Sequence, residues 1–278
     1  MRRLFPVTDM TALDAVEGVV PEAAPPAAAG ATRPAPGAVA GEWSLDALAD
    51  AYAYPEGDAP WLRANMVSSL DGAGQHEGRS QPLSSETDMR VFGVLRGLAD
   101  VVVVGAETVR LEGYRPARAR EAFAARRAAA GQGPAPVIAV VSASLDLDFS
   151  LPLFTEPLLP TLVLTGSGAP VERVREAREA GAVVLCAGDG ARVVPARAVA
   201  VLAERGLRRQ LTEGGPRLLG QFVAAGVLDE LCLTISPTMT AGDAQRIAGG
   251  PSAAVPTRFQ VASVLEQDGF LFTRYRRI

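Results

Sequence analysis

Short apolar runs spaced along the chain constrain its fold more than any other feature. VVVVG at Val101–Gly105 is apolar throughout, and VIAVVS from Val137, TLVLTGS from Thr161 and AVVLCAG from Ala182 follow at intervals. A strand without a polar face has to be covered on both sides, as in a largely parallel sheet between helices. Helices are legible between the runs. VERVREAREAG, from Val171, is amphipathic and ends at Gly181, and ARAVAVLAERG precedes the strand RRQLTE. Upstream, SSETDMRVFGVLRGLAD predicts a helix capped by Ser84 or Ser85, with Glu86 or Asp88 in its first turn and Met89, Phe92 and Leu95 facing inward. WLRANMVS alternates as a strand up to Ser68 and leads into an Asp71-Gly72 turn; ELCLTISP is a further strand. FQVASVLEQDGFLFTRYRR reads as a hairpin around Gln-Asp-Gly. The expected fold is α/β, a mixed sheet that is parallel within and antiparallel at one edge.

Composition removes several chemistries. All 27 basic residues are arginine, which excludes a Schiff-base lysine, a pyridoxal enzyme and a P-loop lysine. A net charge of −4 argues against a nucleic-acid partner, and the arginines are spread out apart from Arg274, Arg276 and Arg277. His76 is the one histidine, and neither Cys186 nor Cys232 lies in a CxxC, so no metal site and no His-based triad is expected. Both cysteines read as small core residues in a reducing compartment. No apolar run is long enough for a membrane span, and MRRLFPVTDM lacks the apolar core of a signal peptide. A cytoplasmic protein without a membrane partner is expected.

Residues 1–60 read as an N-terminal extension. The Ala/Pro/Gly-rich tract from Pro21 to Gly41 has the composition of a flexible linker. SLDALADAYAYP then predicts a short helix capped by Ser44, with Leu45, Leu48 and Tyr52 on one face. The main domain is expected over 61–278, with AGQHEGRSQP as an exposed polar loop.

The chemistry points to LTEGGPRLLGQF, Leu211–Phe222. A strand ends in Glu213, Gly214 and Gly215 allow a sharp turn and close approach of a ligand, and Pro216 suits the first helical position. Free backbone N–H groups and the positive helix end form an anion site fit for a dinucleotide pyrophosphate, with an acid at its mouth. In VVVVGAETVRLEGYRPAR, Thr108 is placed to cap or to bond a ligand at the strand's carboxyl end. Glu112 adds an acceptor, and Arg115 and Arg118 add anion-pairing donors. Asp71 is a turn former, and Arg96 is either a solvated helix cation or a cleft residue reaching a phosphate. The dinucleotide fingerprint GxGxxG is missing after VVVVG, so a nicotinamide cofactor would bind through a different geometry.

Taken in order, SSLDG, LRGLADVVVVGAETV and LTEGGPRLLGQFVAAGVLDELCLTISP resemble the reductase domain of bacterial riboflavin biosynthesis, the pyrimidine reductase family of the dihydrofolate reductase-like superfamily. The resemblance covers about Trp61 to Ile278. It implies a mixed sheet of about eight strands, NADPH, a small-molecule substrate and a homodimer. The implied reaction reduces the ribosyl group of 5-amino-6-(5-phosphoribosylamino)uracil by hydride transfer. The resemblance places Ser68, Gly105, Ala106, Thr108 and Glu112 on the cofactor, with Ser142 near its adenosine ribose phosphate. Gly214, Gly215, Pro216, Arg217, Leu218 and Leu219, and on to Gln221, would surround the pyrophosphate. Ser80, Arg96, Arg115 and Glu213 would face the substrate, with Asp71 and Glu213 as the catalytic pair. Two departures fall on the substrate side: Pro82 where the family has an aromatic residue, and Glu112-Gly113-Tyr114 where it has Asp-Asp-Pro. Residues before Trp61 offer no zinc deaminase signature. A reductase of the same fold acting on dihydrofolate or another pterin is the alternative within the fold, and a non-catalytic nucleotide-binding protein is the alternative outside it.

Overall fold

A computed structural model describes residues 1–6 and 43–278. The Ala/Pro/Gly-rich tract lies outside the described residues. The strands are β1 (Arg2–Phe5), β2 (Trp61–Ser68), β3 (Val101–Gly105), β4 (Val137–Val141), β5 (Leu162–Thr165), β6 (Val183–Cys186), β7 (Arg209–Thr212), β8 (Glu230–Ile235), β9 (Phe259–Gln267) and β10 (Phe270–Arg277). They form one ten-stranded sheet in the order β1-β9-β10-β8-β2-β7-β3-β4-β5-β6. From β8 to β6 every neighbouring pair is parallel; β10, β9 and β1 add antiparallel strands at the other edge. The β9–β10 hairpin turns at Asp268 and Gly269, which both have positive φ, as a tight hairpin requires.

The helices are α1 (Leu45–Ala51), α2 (Glu86–Leu98), α3 (Ala106–Glu112), α4 (Glu121–Ala129), α5 (Pro152–Thr155), α6 (Val171–Glu179), α7 (Pro195–Glu204) and α8 (Pro216–Ala224). They divide between two faces, and the period of the strands decides which residues meet them. Val102 and Val104 of β3, with Ile138 and Val140 of β4, pack toward α1, α2, α4 and α6. Val101, Val103 and Ala139 pack on the other face toward α7 and α8. Three of the four apolar runs, β3, β4 and β5, thus lie in the interior of the sheet, covered on both faces; the fourth, β6, is an edge strand.

Several details depart from expectation. The sheet has ten strands where about eight were expected, and one of the additional strands is β1, from the extension. Helix α1 is capped by the Ser44 side chain as predicted, and Leu48, Ala49 and Tyr52 are fully buried in the core. In α2 the cap is Ser85. Leu95 is buried, but Met89 is 54% exposed and Phe92 only half-buried; Val91, Val94 and Leu98 supply the core face instead. The reason is that Met89 and Phe92 line a cavity rather than the sheet. Cys232 is buried, whereas Cys186 is exposed at the end of edge strand β6. The loop after Asp71 is not uniformly exposed: Ala73 is buried and the Gly74 N–H donates to the Gln245 carbonyl at 2.8 Å.

At the amino ends of the parallel strands lies a buried charge cluster that composition does not announce. Glu230 of β8 is fully buried. Its carboxylate is 2.8 Å from Arg63 Nε and 2.9 Å from Arg274 Nε, with Arg276 Nε at 3.6 Å and the Trp61 indole N–H at 3.3 Å. Arg63 and Arg274 also donate to the carbonyls of Tyr52 and Ala51 at the end of α1. Two guanidinium groups therefore satisfy helix-terminal carbonyls and complement the dipole while sharing one carboxylate. The cluster fastens α1 to β2, β8 and β10.

Candidate functional site

The opposite, carboxyl ends of β2, β3, β4 and β7 meet around the turn between β7 and α8. Ligands of open α/β sheets bind at this edge. Gly214 has φ +104° and is joined to Gly215 by a cis peptide bond. The Gly214 carbonyl accepts from the Gly105 N–H at 3.1 Å, which ties the turn to the end of β3. Pro216 opens α8 with Gly215 as its N-cap, as expected. A Cβ on Gly215 would lie 2.8 Å from Thr108 Oγ1, so any larger residue would have to displace the Thr108 hydroxyl.

Two cavities flank this turn and share Thr108. The first, of about 500 Å³, is lined by Gly105, Ala106, Thr108, Ser142, Gly215, Arg217 and Leu218 among others. Arg110 and Arg192 also line it, with Glu107 as its one acidic residue. Arg110 is engaged by the Asp146 carbonyl at 2.6 Å, whereas Arg192 and Arg217 have no ion-pair partner among the described residues. Thr108 does not cap α3, whose N-cap is Gly105; it stands in the first turn, against Gly215. Leu219 is core, and Pro216 does not line the cavity. Ser68 is buried and donates to the Ser69 carbonyl at 3.0 Å, outside both cavities.

The second cavity, of about 390 Å³, is lined by Met66, Ser80, Asp88, Phe92, Thr108, Glu112, Tyr114, Arg115 and Glu213 among others. Glu213 is held in a triad. Arg96 donates to both carboxylate oxygens at 2.6 Å and to the Tyr114 hydroxyl at 2.7 Å. The Tyr114 hydroxyl in turn donates to Glu213 Oε2. Burial, reinforced by the Glu213 charge, drives the Tyr114 phenol well above its ordinary pKa. Arg96 therefore turns to a carboxylate, holding Glu213 and Tyr114 without itself lining this cavity; Arg115 is the cation on the wall, with no ion-pair partner among the described residues.

Asp71 lies outside both cavities. Its carboxylate accepts from the Ser69 hydroxyl and from the backbone N–H groups of Thr240 at 3.2 Å and Ala241 at 2.7 Å. These bonds hold the exposed carboxyl at a pKa of about 2. Here it anchors the 238–241 loop.

Sequence reasoning did not single out Tyr114, Arg192 or Asp88 as site residues. Asp88, read as a first-turn acid of α2, is 7% exposed. Its Oδ2 accepts from Ser84 Oγ and its Oδ1 from Thr234 Oγ1, each at 2.6 Å. Burial raises its pKa. No local signal marks it, because Thr234 is 146 residues away.

A family model described as the RibD C-terminal domain matches residues 60–269. The 2,5-diamino-6-ribosylamino-4(3H)-pyrimidinone 5′-phosphate reductase of Archaeoglobus fulgidus is 26% identical over 220 residues, covering 78% of this chain and 99% of its own. The protein of the same name from Aquifex aeolicus is 30% identical over 191 residues, covering 67% of this chain and 80% of its own. Among solved structures, a pyrimidine reductase-like protein from Corynebacterium diphtheriae superposes with a TM-score of 0.70 at 28% identity, covering 79% of this chain and 92% of its own. The architecture is the expected mixed sheet between helices, with the C-terminal antiparallel hairpin in place. The chain belongs to the RibD C-terminal domain family.

Proposed function

We propose that this chain is an NADPH-dependent reductase acting on the ribosyl group of a phosphoribosylamino-pyrimidine. The observation that carries the reading is the pair of cavities meeting at Thr108, one lined by arginines and a helix start, the other by the acid and the phenol that Arg96 holds together. The first fits a dinucleotide phosphate: its floor is the Gly215 cradle that a Cβ would fill, and its wall carries Arg192 and Arg217. These cations, with Ser142 and Ser144, favour NADPH over NADH because the former brings an additional phosphate. The cofactor supplies a hydride when bound there.

The chain's own residues hold the acceptor and manage the proton. In the ring-opened sugar the C1′=N double bond is the electrophile: C1′ gains a C–H bond and nitrogen gains a proton. The Tyr114 hydroxyl donates to Glu213 on the cavity wall, and Arg96 holds both in register. Arg115 faces the cavity as the partner for a substrate phosphate. Orientation does the remainder, which suits a site without lysine or a catalytic cysteine. The curated relatives are named for a pyrimidinone phosphate, which favours this reading over dihydrofolate. No helix among the described residues is long and apolar enough to cross a membrane; a cytoplasmic homodimer goes with the reading and is checked by fractionation and light scattering.

The test is the loss of NADPH absorbance on adding a phosphoribosylamino-pyrimidine, with dihydrofolate as comparator. Saturable oxidation with the pyrimidine supports the assignment. Absence of saturable NADPH binding, or turnover with dihydrofolate alone, overturns it.

A further inference from the structure

A buried carboxylate in the wall of a binding cavity needs a reason to be there, because burial without a cation is costly. Asp88 is such a group. Its partners are two hydroxyls, Ser84 and Thr234, one on each oxygen, and no cation among the described residues is bonded to it. A carboxylate has about four acceptor positions, so each oxygen keeps one for a ligand. The hydroxyls come from α2's N-terminal segment and from β8, and they fix the plane of the group. The same lining includes Met66, Val67, Met89 and Phe92, apolar side chains against which a flat ring can pack.

We infer that Asp88 is a specificity residue: it reads a pair of parallel N–H donors on the pyrimidine, the ring N3–H beside a 2-amino group. The inference rests on the proposed reductase reading. It separates two substrates that differ at one position. A 2-amino-4-oxo ring offers the two adjacent donors a carboxylate matches. Its 2-oxo counterpart puts a carbonyl oxygen opposite one carboxylate oxygen, leaving two acceptors facing each other. The chain therefore reduces the 2-amino compound, and hydrolytic deamination at C2 follows this step rather than preceding it. Ser84 and Thr234 are positioning residues, since they reach the ring only through Asp88.

The experiment measures kcat/KM for 2,5-diamino-6-ribosylamino-4(3H)-pyrimidinone 5′-phosphate and for 5-amino-6-(5-phosphoribosylamino)uracil, with wild type, Asp88→Asn and Thr234→Val. Wild type is expected to prefer the 2-amino compound by about 100-fold, from one charge-assisted hydrogen bond lost and one carboxylate oxygen left facing a carbonyl in the 2-oxo compound. Asp88→Asn is expected to reduce that ratio to near unity, and Thr234→Val to lower it about fivefold. A residue serving only packing would lower both rates together and leave the ratio unchanged, which overturns the inference. Equal use of both substrates by wild type overturns it while the reductase reading stands; reduction of neither overturns both. If Asp88→Asn fails to fold, the wild-type ratio and its change in Thr234→Val decide the matter.

Discussion

Replacing Glu213 by glutamine keeps the side chain's shape and removes its charge, which isolates what the triad does. Both oxygens of Glu213 are held by Arg96 at 2.6 Å, and Oε2 also takes the Tyr114 hydroxyl. The Glu213 side chain is 5% exposed and that of Arg96 25%. Removing one partner of a buried pair costs about 3–5 kcal/mol. Arg96 keeps part of its hydration, and the amide oxygen still accepts one of its N–H groups, so about 2 kcal/mol is expected. For a chain of this size that lowers the melting midpoint by about 4–8 °C. Turnover should fall further, by about 10²–10⁴-fold, the range for loss of a proton-transfer partner. Cofactor affinity should stay within about twofold, because the proposed phosphate site is made of backbone amides and arginines on another wall. Thermal melting, fluorescence titration with NADPH and steady-state oxidation read these three quantities separately. A folded variant with wild-type turnover removes Glu213 from the chemistry. A loss of cofactor affinity equal to the loss of turnover assigns the triad to shaping the glycine turn instead.

Gly215→Ala drives a methyl to 2.8 Å from Thr108 Oγ1; the overpacking should weaken NADPH binding about 5–100-fold, with partial recovery in the double variant with Thr108→Ala, both read by titration. Glu230→Gln leaves buried guanidinium groups without their anion and should cost about 3–5 kcal/mol, seen as a drop of about 10 °C in the melting midpoint with KM unchanged. Burial and the neighbouring Glu230 push the Cys232 thiol up to about 12, while Cys186 is exposed. One thiol per chain should therefore react with maleimide at about pH 8 in the native state and both in denaturant. The Asp71 carboxyl is depressed from 3.8 to about 2, so its contribution to holding the 238–241 loop is complete above its ordinary value and lost as pH falls toward the folded one. The Ala241 amide resonance should follow a midpoint near 2; a midpoint near 4 would show that the carboxyl has no such partners.

What was legible in the sequence was what local pattern encodes. The apolar runs became β3 to β6, all but the last of them interior strands, Gln-Asp-Gly became the hairpin turn, and Glu213-Gly-Gly-Pro became a strand, a turn and a helix start in that order. What was not legible depends on contacts made across the fold. Asp88 is indistinguishable from an ordinary first-turn acid until β8 brings Thr234 against it. Arg96 reads equally as a surface cation until β7 ends beside it with Glu213. Tyr114 stands where the resemblance led one to expect proline, and only the structure shows its hydroxyl closing the triad. Helices α3 and α4 also escaped notice, being short and lying in a stretch of mixed polarity.

The Arg63–Glu230–Arg274 cluster grips the sheet at the end opposite the glycine turn. Robustness and reactivity consequently have separate addresses in this molecule. The clamp residues line neither cavity, so an exchange of cavity side chains leaves these ion pairs untouched.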